Sequence, residues 1–269
     1  MGTYKLLAID LDNTLLTRKK EVTEKNLLAL RRARKAGVRI VYASGRHLAG
    51  VNTILKIVGN DDYCISSGGA VITDRNEKIC YSCCVAPKTT YELMQMFERE
   101  HIYYQVYPPC EDFITPVRTP ATDEYEKNCG CHAVIRPDIG THKDLQSTKL
   151  LMIDSYENLM ALRERLAARF PELYLIFSQP DHLEVLDPSV SKGKALEYLC
   201  GLTDIKPEEI IAMGDAEIDT TMLRFAGVAA VPANADPEIK EIADYVAAAD
   251  CDHDAVAEII NKYIFGEEL

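Results

Sequence analysis

Two aspartates directly follow an apolar run near the start of the chain. Residues 4–9 predict a buried strand, and Asp10 and Asp12 come at its carboxyl end. Because residues i and i+2 of an extended chain share one face, the two carboxylates should lie close together. Two like charges beside a buried strand are unfavourable unless a cation balances them. The pair therefore indicates either a metal site with an acid–base pair or a plain Asp-rich turn that caps the strand.

Further polar segments follow other predicted strands or open a predicted helix. They are Ser44-Gly45-Arg46 after residues 38–43, Gly214-Asp215-Ala-Glu-Ile-Asp219 after residues 210–213, and Ser191-Lys192-Gly193-Lys194. Loops at the carboxyl ends of parallel strands meet in one crevice, so these segments should converge with the aspartate pair. A hydroxyl, a flexible backbone and a cation can hold a phosphate, and a lysine at a helix start can neutralise acidic groups. Taken alone, each segment is more often an ordinary turn or an exposed lysine.

Together the segments are suited to phosphoryl transfer. One carboxylate attacks phosphorus, a metal ion and a lysine balance the phosphoryl charge, and a second carboxylate first protonates the leaving alkoxide and then activates water. Magnesium is the expected cofactor, because it takes oxygen ligands from a few carboxylates, keeps several waters and binds phosphate directly.

Composition limits the other partners. The net charge of −12 argues against nucleic acid or an anionic membrane surface. Nine cysteines without a secretory signal or a long apolar run favour a reduced, cytoplasmic protein. Cys129-Gly-Cys131-His132 could start a zinc knuckle, but the sequence offers no second half, so free thiols are the prediction.

The chain is long enough for two domains at 269 residues. Short apolar strands alternate with helices in both terminal parts, which predicts an α/β core with a mainly parallel, Rossmann-like sheet. The middle contains strands joined by the turn-forming residues Gln179-Pro180-Asp181, which predict an antiparallel hairpin. We therefore predict a core formed by residues 1–83 and 187–269, with an inserted α+β cap at 84–186.

The ordered motifs resemble those of the haloacid dehalogenase superfamily. These motifs are Asp10-Leu-Asp12-Asn-Thr14-Leu, Ser44-Gly-Arg46, Lys192-Gly and Gly214-Asp215-x-x-x-Asp219. The long insert and the stretch from Leu183 to Gly193 are similar to the Cof-type sugar-phosphatase branch, as are Ser67-Gly-Gly-Ala-Val-Ile72 and Asn234-Ala235. The resemblance covers the whole chain and implies a Mg²⁺-dependent phosphatase that acts on a small phosphorylated metabolite, such as a sugar phosphate.

The resemblance also implies a role for each motif residue. Asp10 would be the nucleophile and Asp12 the general acid/base, with Lys192 bridging Asp10 and the phosphoryl group. The phosphate- and substrate-binding residues would be Thr14, Ser44, Gly45, Arg46 and Asn234. The metal ligands would be Asp10, Asp12 through its backbone carbonyl, Asp215 and Asp219, the last directly or through water.

Three positions depart from the branch. Ile218 and Gly68 stand where members usually have Asn, and Asn13 stands where they have Gly. Ile218 removes a polar group near the metal and lysine, which leaves turnover open to question. Two alternatives therefore stay open: a phosphomutase of the same fold, and a catalytically weakened phosphate- or metal-binding module.

The cap should select the substrate, since the core supplies only the phosphate chemistry. The aromatic run at 103–107 and the pair Asp112-Phe113 are candidates for lining the cleft, with the cap core as the alternative location. The junctions at 86–87 and 187–188 are the expected hinges for cap closure. A monomer or small homo-oligomer is expected.

Overall fold

The structure is a computed structural model that describes residues 4–60, 62–109 and 112–267. The strands are β1 (Leu6–Ile9), β2 (Arg39–Ala43), β3 (Cys64–Ser66), β4 (Val71–Thr73), β5 (Ile79–Ser82), β6 (Gln105–Val106), β7 (Ile114–Thr115), β8 (Val134–Ile135), β9 (Leu150–Ile153), β10 (Tyr174–Gln179), β11 (His182–Leu186), β12 (Ile210–Met213), β13 (Val228–Val231) and β14 (Tyr245–Val246). The α-helices are α1 (Glu24–Lys35), α2 (Leu48–Val58), α3 (Pro87–Arg99), α4 (Pro120–Cys129), α5 (Tyr156–Arg169), α6 (Lys192–Thr203), α7 (Thr220–Phe225), α8 (Pro237–Glu241) and α9 (Ala255–Ile260).

The first sheet has eight strands in the order β14-β13-β12-β1-β2-β3-β4-β5. The strands from β14 to β3 pair in parallel, and β4 and β5 extend the edge with antiparallel pairing. Strand β1 lies in the middle, between β12 and β2. It therefore marks the point where the chain switches direction across the sheet, which is where open α/β sheets form their crevice.

Both faces of β1 are buried. Leu7 and Ile9 belong to one hydrophobic cluster, and Leu6 and Ala8 belong to another on the opposite face. This burial explains why the strand is a continuous apolar run rather than an alternating one. The predicted α/β fold class with a mainly parallel core sheet is confirmed.

The second sheet lies between β5 and α6 in the chain and has the strand order β10-β11-β9-β6-β7-β8. Its pairs are antiparallel apart from β7 with β8. The hairpin predicted at Gln179-Pro180-Asp181 is confirmed, since β10 and β11 pair directly across it. The second sheet has a separate hydrophobic cluster, to which helices α3 and α5 contribute Phe97 and Leu162.

The sequence prediction was least accurate within this second sheet. Two expected strands, at 102–107 and 112–115, are two residues each in β6 and β7. The proline-containing stretch after them holds the unpredicted helix α4, which begins at Pro120 with a capping box formed by Thr119 and Thr122. Proline is favourable in the first turn of a helix, where its missing N–H has no partner to lose.

Within the three described ranges, the structure contains no helix long and apolar enough to cross a membrane.

Candidate active site

The predicted polar segments converge at one edge of the first sheet. Asp10 follows β1, Ser44 follows β2 and Asp215 lies two residues after β12. Because β1 pairs with both β2 and β12, these three loops leave the sheet side by side. Lys192, the first residue of α6, reaches the same place from a helix whose N-cap, Ser191, accepts a hydrogen bond from the Lys194 N–H.

Lys192 is fully buried and joins two carboxylates. Its Nζ lies 2.6 Å from Asp10 Oδ1 and 2.6 Å from Asp219 Oδ1. Although burial disfavours the ammonium, the two carboxylates raise the pKa of Lys192 above its ordinary value. The lysine is therefore a permanent cation at the centre of the site.

A third carboxylate makes this cluster a candidate metal site. One carboxylate oxygen from each of Asp10, Asp215 and Asp219 lies within 4.8 Å of the other two, and all three residues are buried. Burial raises the pKa of Asp10 to about 7, with Asp219 and Asp12 adding to the effect against the opposing charge of Lys192. Burial and the charges of Asp10 and Asp219 also raise the pKa of Asp215. One lysine does not balance three carboxylates, so these residues have the charge and the oxygen ligands that could hold a divalent cation.

Asp219 differs from the other two carboxylates. Its Oδ1 accepts from Lys192, and its Oδ2 accepts the backbone N–H groups of Asp215 (3.0 Å) and Ala216 (3.1 Å). Gly214 is required beside it, since a Cβ at that position would lie 2.5 Å from the Asp219 side chain. Asp219 therefore holds both the lysine and the loop that presents Asp215.

Asp12 lies in a different electrostatic environment. Arg46 donates to both of its oxygens, from Nε and Nη2 at 2.7 Å each, and Lys20 Nζ donates to Oδ1 at 2.8 Å. Burial alone would raise the pKa of Asp12, but these hydrogen bonds and charges hold it well below its ordinary value. Asp12 is thus an ionised carboxylate clamped by two cations. Sequence reasoning did not single out Lys20.

The side chains of Thr14 and Asn234 make hydrogen bonds to residues of the loops that form the site. The buried Thr14 hydroxyl donates to Asp215 Oδ1 at 2.8 Å. The Asn234 side-chain amide donates to the Asn13 carbonyl at 2.8 Å and its oxygen accepts from the Cys251 N–H at 2.8 Å. In this arrangement both side chains position the loops that carry the aspartates.

The Ser44-Gly45-Arg46 segment turns sharply at the end of β2. The Ser44 hydroxyl accepts the Arg46 N–H at 3.1 Å, and the Gly45 carbonyl accepts from Lys149 Nζ at 2.6 Å. Gly45 and Arg46 line the cavity above the aspartates, together with Asp10, Asp12, Asp215 and Asp219.

The opposite wall of this cavity comes from helix α4 and from the second sheet. It consists of Tyr125, Cys129, Lys149, Ser178, Gln179, His182 and Glu184. None of these was predicted as a site residue, although Lys149 and Glu184 carry a sequence signal: each is a charged residue within or beside an apolar strand. The cavity is small, about 40 Å³, and it has room for roughly three waters.

The aromatic residues proposed to line the cleft lie elsewhere. Tyr107 and Phe113 are fully buried, with their rings stacked 5.7 Å apart. They pack with Tyr125 in a hydrophobic cluster beneath the cavity wall. The alternative location in a hydrophobic interior is therefore correct for these two, because a large aromatic side chain is stabilised most when it is removed from water.

Ile218 makes an apolar contact between residues of the first sheet's loops and residues of the second sheet. It packs with Ile176 of β10 and Leu186 of β11, and with Ala70 and Val190. A Cβ at Gly45 would lie 3.3 Å from its Cδ1. This hydrophobic contact explains why an apolar side chain is stable here beside a charged cluster.

Cys129 and Cys131 are buried free thiols. Among the described residues, His132 and these two cysteines form no cluster with metal-ligand spacing. Cys110, also counted among the nine cysteines, lies outside the described residues.

The sequence and the fold are similar to those of known hydrolases. Residues 7–260 match the haloacid dehalogenase-like hydrolase family. Phosphatase YwpJ of Bacillus subtilis (strain 168) is 29% identical, over 93% of this chain and 96% of that protein. The HMP-PP phosphatase of Cronobacter sakazakii is 26% identical, over 97% of this chain and 96% of that protein. A solved haloacid dehalogenase-like hydrolase from B. subtilis superposes with a TM-score of 0.87 at 27% identity, covering 96% of this chain and 99% of that one.

Proposed function

Because the chain belongs to the haloacid dehalogenase-like hydrolase family, as its four motifs predicted, we propose that it is a Mg²⁺-dependent phosphatase of small phosphorylated metabolites such as sugar phosphates. Its assignment as a hydrolytic enzyme follows from the family itself. The observation that carries the phosphatase proposal is the buried cluster in which Lys192 bridges Asp10 and Asp219 next to Asp215. Relatives that are named phosphatases support it.

The metal ion would be held mainly by Asp10 and Asp215. Both have carboxylate oxygens in the cluster, and both have a pKa raised by burial and by neighbouring carboxylates, which a divalent cation would reverse. Asp219 already uses both oxygens, so its proposed part is to hold Lys192 and the Asp215 loop. When bound, Mg²⁺ supplies positive charge that offsets the phosphoryl oxygens and keeps Asp10 ionised.

Asp10 is the proposed nucleophile. Its ionised carboxylate attacks phosphorus, the bond to the leaving alcohol breaks, and an aspartyl phosphate forms. Lys192, 2.6 Å from Asp10, remains charged and balances the phosphoryl group as it approaches. Ser44 and the backbone of Gly45 complete the phosphate contacts at the end of β2.

Asp12 is the proposed general acid and base. In the resting enzyme Arg46 and Lys20 keep it ionised, which suits the second step, where it removes a proton from the attacking water. To protonate the leaving alkoxide in the first step, Asp12 must lose part of this clamp. A bound phosphate dianion competes for Arg46 and Lys20, and this competition would let Asp12 take up a proton from solvent, which it then gives to the leaving alkoxide.

We further propose that residues 84–186 act as a cap that moves relative to the core. Separation of the two walls would widen the 40 Å³ cavity and join it to the larger cavity of about 860 Å³ that shares Ser178, Gln179, Asp215 and Ala216 with it. The contacts that would break include the hydrogen bond from Lys149 to the Gly45 carbonyl, the half-exposed ion pair between Arg163 and Glu217 at 2.9 Å, and the packing of Ile218 against Ile176 and Leu186.

A phosphatase assay tests this function. The purified protein, with Mg²⁺, should release inorganic phosphate from p-nitrophenyl phosphate and from a panel of phosphorylated metabolites. Asp10→Asn should reduce turnover by roughly 10³-fold or more, while its thermal unfolding midpoint stays well above the assay temperature. Asp138→Asn, which alters a carboxylate that is 73% exposed, is the matched control. Activity that survives in Asp10→Asn, or no hydrolysis across the panel, would refute the proposal.

A further inference from the structure

Two cysteines stand together at the end of helix α4, in the cavity wall that faces the aspartates. Cys129 is the last residue of α4, and Cys131 follows after Gly130, which ends the helix in the left-handed region with a φ of 64°. Both cysteines are free thiols, and both are buried in the hydrophobic cluster that also contains Tyr125. The turn at Gly130 therefore brings the two thiols into one small interior region.

Cys129 borders two cavities, and Arg46 lines both of them with it. One is the 40 Å³ cavity above the aspartates. The other has a volume of about 90 Å³ and is also lined by Glu124 and Asn128, whose side chains are exposed to solvent. Hydrogen peroxide is little larger than water and fits such a volume. Because Cys131 lines neither cavity, a small oxidant reaches the sulfur of Cys129 first.

The two thiols differ in their electrostatic surroundings. Hydrogen bonding from the Cys131 thiol lowers the pKa of Cys129, and the charge of Arg46 adds to this effect, although burial opposes it. The same interaction and burial raise the pKa of Cys131, which stays protonated. Cys64 is buried too, and burial raises its pKa to about 12. Cys129 thus has the features of a reactive thiolate, with a protonated thiol beside it that can complete a disulfide.

We propose that Cys129 and Cys131 are a redox-active dithiol, which hydrogen peroxide converts to a disulfide that inhibits the adjacent active site. The Cys129 thiolate attacks one peroxide oxygen, so an S–O bond forms, the O–O bond breaks and hydroxide leaves. The Cys131 sulfur then attacks the sulfur of the resulting sulfenic acid. An S–S bond forms, the S–O bond breaks, and the hydroxyl leaves as water with the proton of the Cys131 thiol. The two thiols are oxidised by two electrons, and the peroxide is reduced to two waters.

Inhibition follows from the place of α4 in the cavity wall. A disulfide holds its two sulfur atoms roughly 2 Å apart, much closer than two unbonded thiols, so the end of α4 has to move. Tyr125 and Cys129 of this helix line the cavity together with Arg46, which donates to Asp12. A displacement of about 1 Å around reacting groups can cost about 10²-fold in rate. This effect on activity rests on the proposed phosphatase function, whereas formation of the disulfide does not.

Peptide mass spectrometry tests the dithiol directly. Residues 128–143 form one tryptic peptide, because Pro137 protects the bond after Arg136, and this peptide contains both cysteines and no other. After treatment with hydrogen peroxide and alkylation in denaturant, the wild-type peptide should carry no label and be two hydrogens lighter than its unlabelled reduced form. Without peroxide it should carry two labels. Cys131→Ala should stop at a sulfenic acid on Cys129, which dimedone captures. Two labels on the peroxide-treated wild-type peptide would overturn the inference.

The second measurement is the kcat/KM for p-nitrophenyl phosphate with Mg²⁺, expressed for each variant as the ratio after to before oxidation. A general effect of the substitution cancels in this ratio. Wild type should lose activity by roughly 10-fold or more and recover it in dithiothreitol. Cys129→Ala should keep a ratio near 1. Cys80→Ala is the matched control, because it removes an exposed thiol on β5, and it should respond like wild type.

The outcomes separate this inference from the proposed function. A disulfide in 128–143 that leaves the wild-type activity unchanged overturns the inference alone, as does an equal loss of activity in Cys129→Ala. No hydrolysis by the reduced wild type overturns the proposed function and the inhibition with it, while the peptide mass still decides whether the two thiols form a disulfide.

Discussion

Removing the central lysine should destabilise the protein strongly when no metal is present. Lys192 makes two contacts of 2.6 Å with carboxylates, and the three side chains are at most 6% exposed. In Lys192→Met, Asp10 and Asp219 lose their partner in a buried site, and breaking a buried pair costs about 3–5 kcal/mol. For a chain of this size, that corresponds to a decrease of roughly 6–20 °C in the thermal midpoint.

Thermal unfolding at pH 8 in EDTA is the measurement. Lys194→Met is the matched control, because Lys194 lies two residues further along α6 and is exposed, with its Nζ donating to the Pro188 carbonyl. It should change stability by less than about 0.5 kcal/mol. Saturating Mg²⁺ should recover part of the loss in Lys192→Met, since a cation then replaces the missing charge. Equal midpoints for Lys192→Met and wild type in EDTA would refute the view that the lysine balances this cluster.

Two further predictions concern the same site. In metal-free protein, burial raises the pKa of Asp10 from 3.8 to about 7 in the folded state. The stability that this shift contributes to the folded state is therefore fully present below about pH 4 and is lost as the pH rises to 7. The free energy of unfolding of wild type relative to Asp10→Asn should therefore fall across this window in EDTA and be flatter with Mg²⁺; a difference independent of pH would contradict the assignment. Gly193→Ala should destabilise by about 1–3 kcal/mol, because a Cβ there would lie 2.4 Å from the Thr221 carbonyl oxygen where α6 packs on α7. Gly201→Ala in the same helix should stabilise the protein by about 0.5–1 kcal/mol, since no atom lies within 4 Å of its Cβ position. Urea titration measures the free energy of unfolding of both variants. Equal changes in the two would contradict the prediction that close packing at Gly193 excludes a side chain.

Much of the core sheet could be predicted from local patterns. The strands Ile210–Met213 and Val228–Val231 have the bounds that the sequence predicted. Helix α1, expected at 23–36, begins after the N-cap Thr23, whose side chain accepts the Asn26 N–H. Such elements are predictable because each is a complete apolar run or amphipathic stripe with its own start and stop signals.

The cavity wall was not predictable in the same way. Tyr107 and Phe113 are of residue types that often line ligand-binding surfaces, yet they stack in a buried hydrophobic cluster with Tyr125. Lys149 and Glu184 lie 35 residues apart in the chain and meet only because β9 pairs with β11. A pairing of that range depends on the register of a whole sheet, which no local signal determines.

What the sequence determined by itself is the kind of chemistry. Asp10, Lys192 and Asp215 each follow or open an element in an α/β pattern, and such a pattern brings these positions to one sheet edge. The tertiary structure decided how the charges are shared. Lys192 joins Asp10 to Asp219, while Arg46 and Lys20 clamp Asp12, so two aspartates that are neighbours in the chain have opposite pKa shifts. The reason is physical: a pKa depends on burial and on charges within a few ångströms, and the folded chain alone sets both.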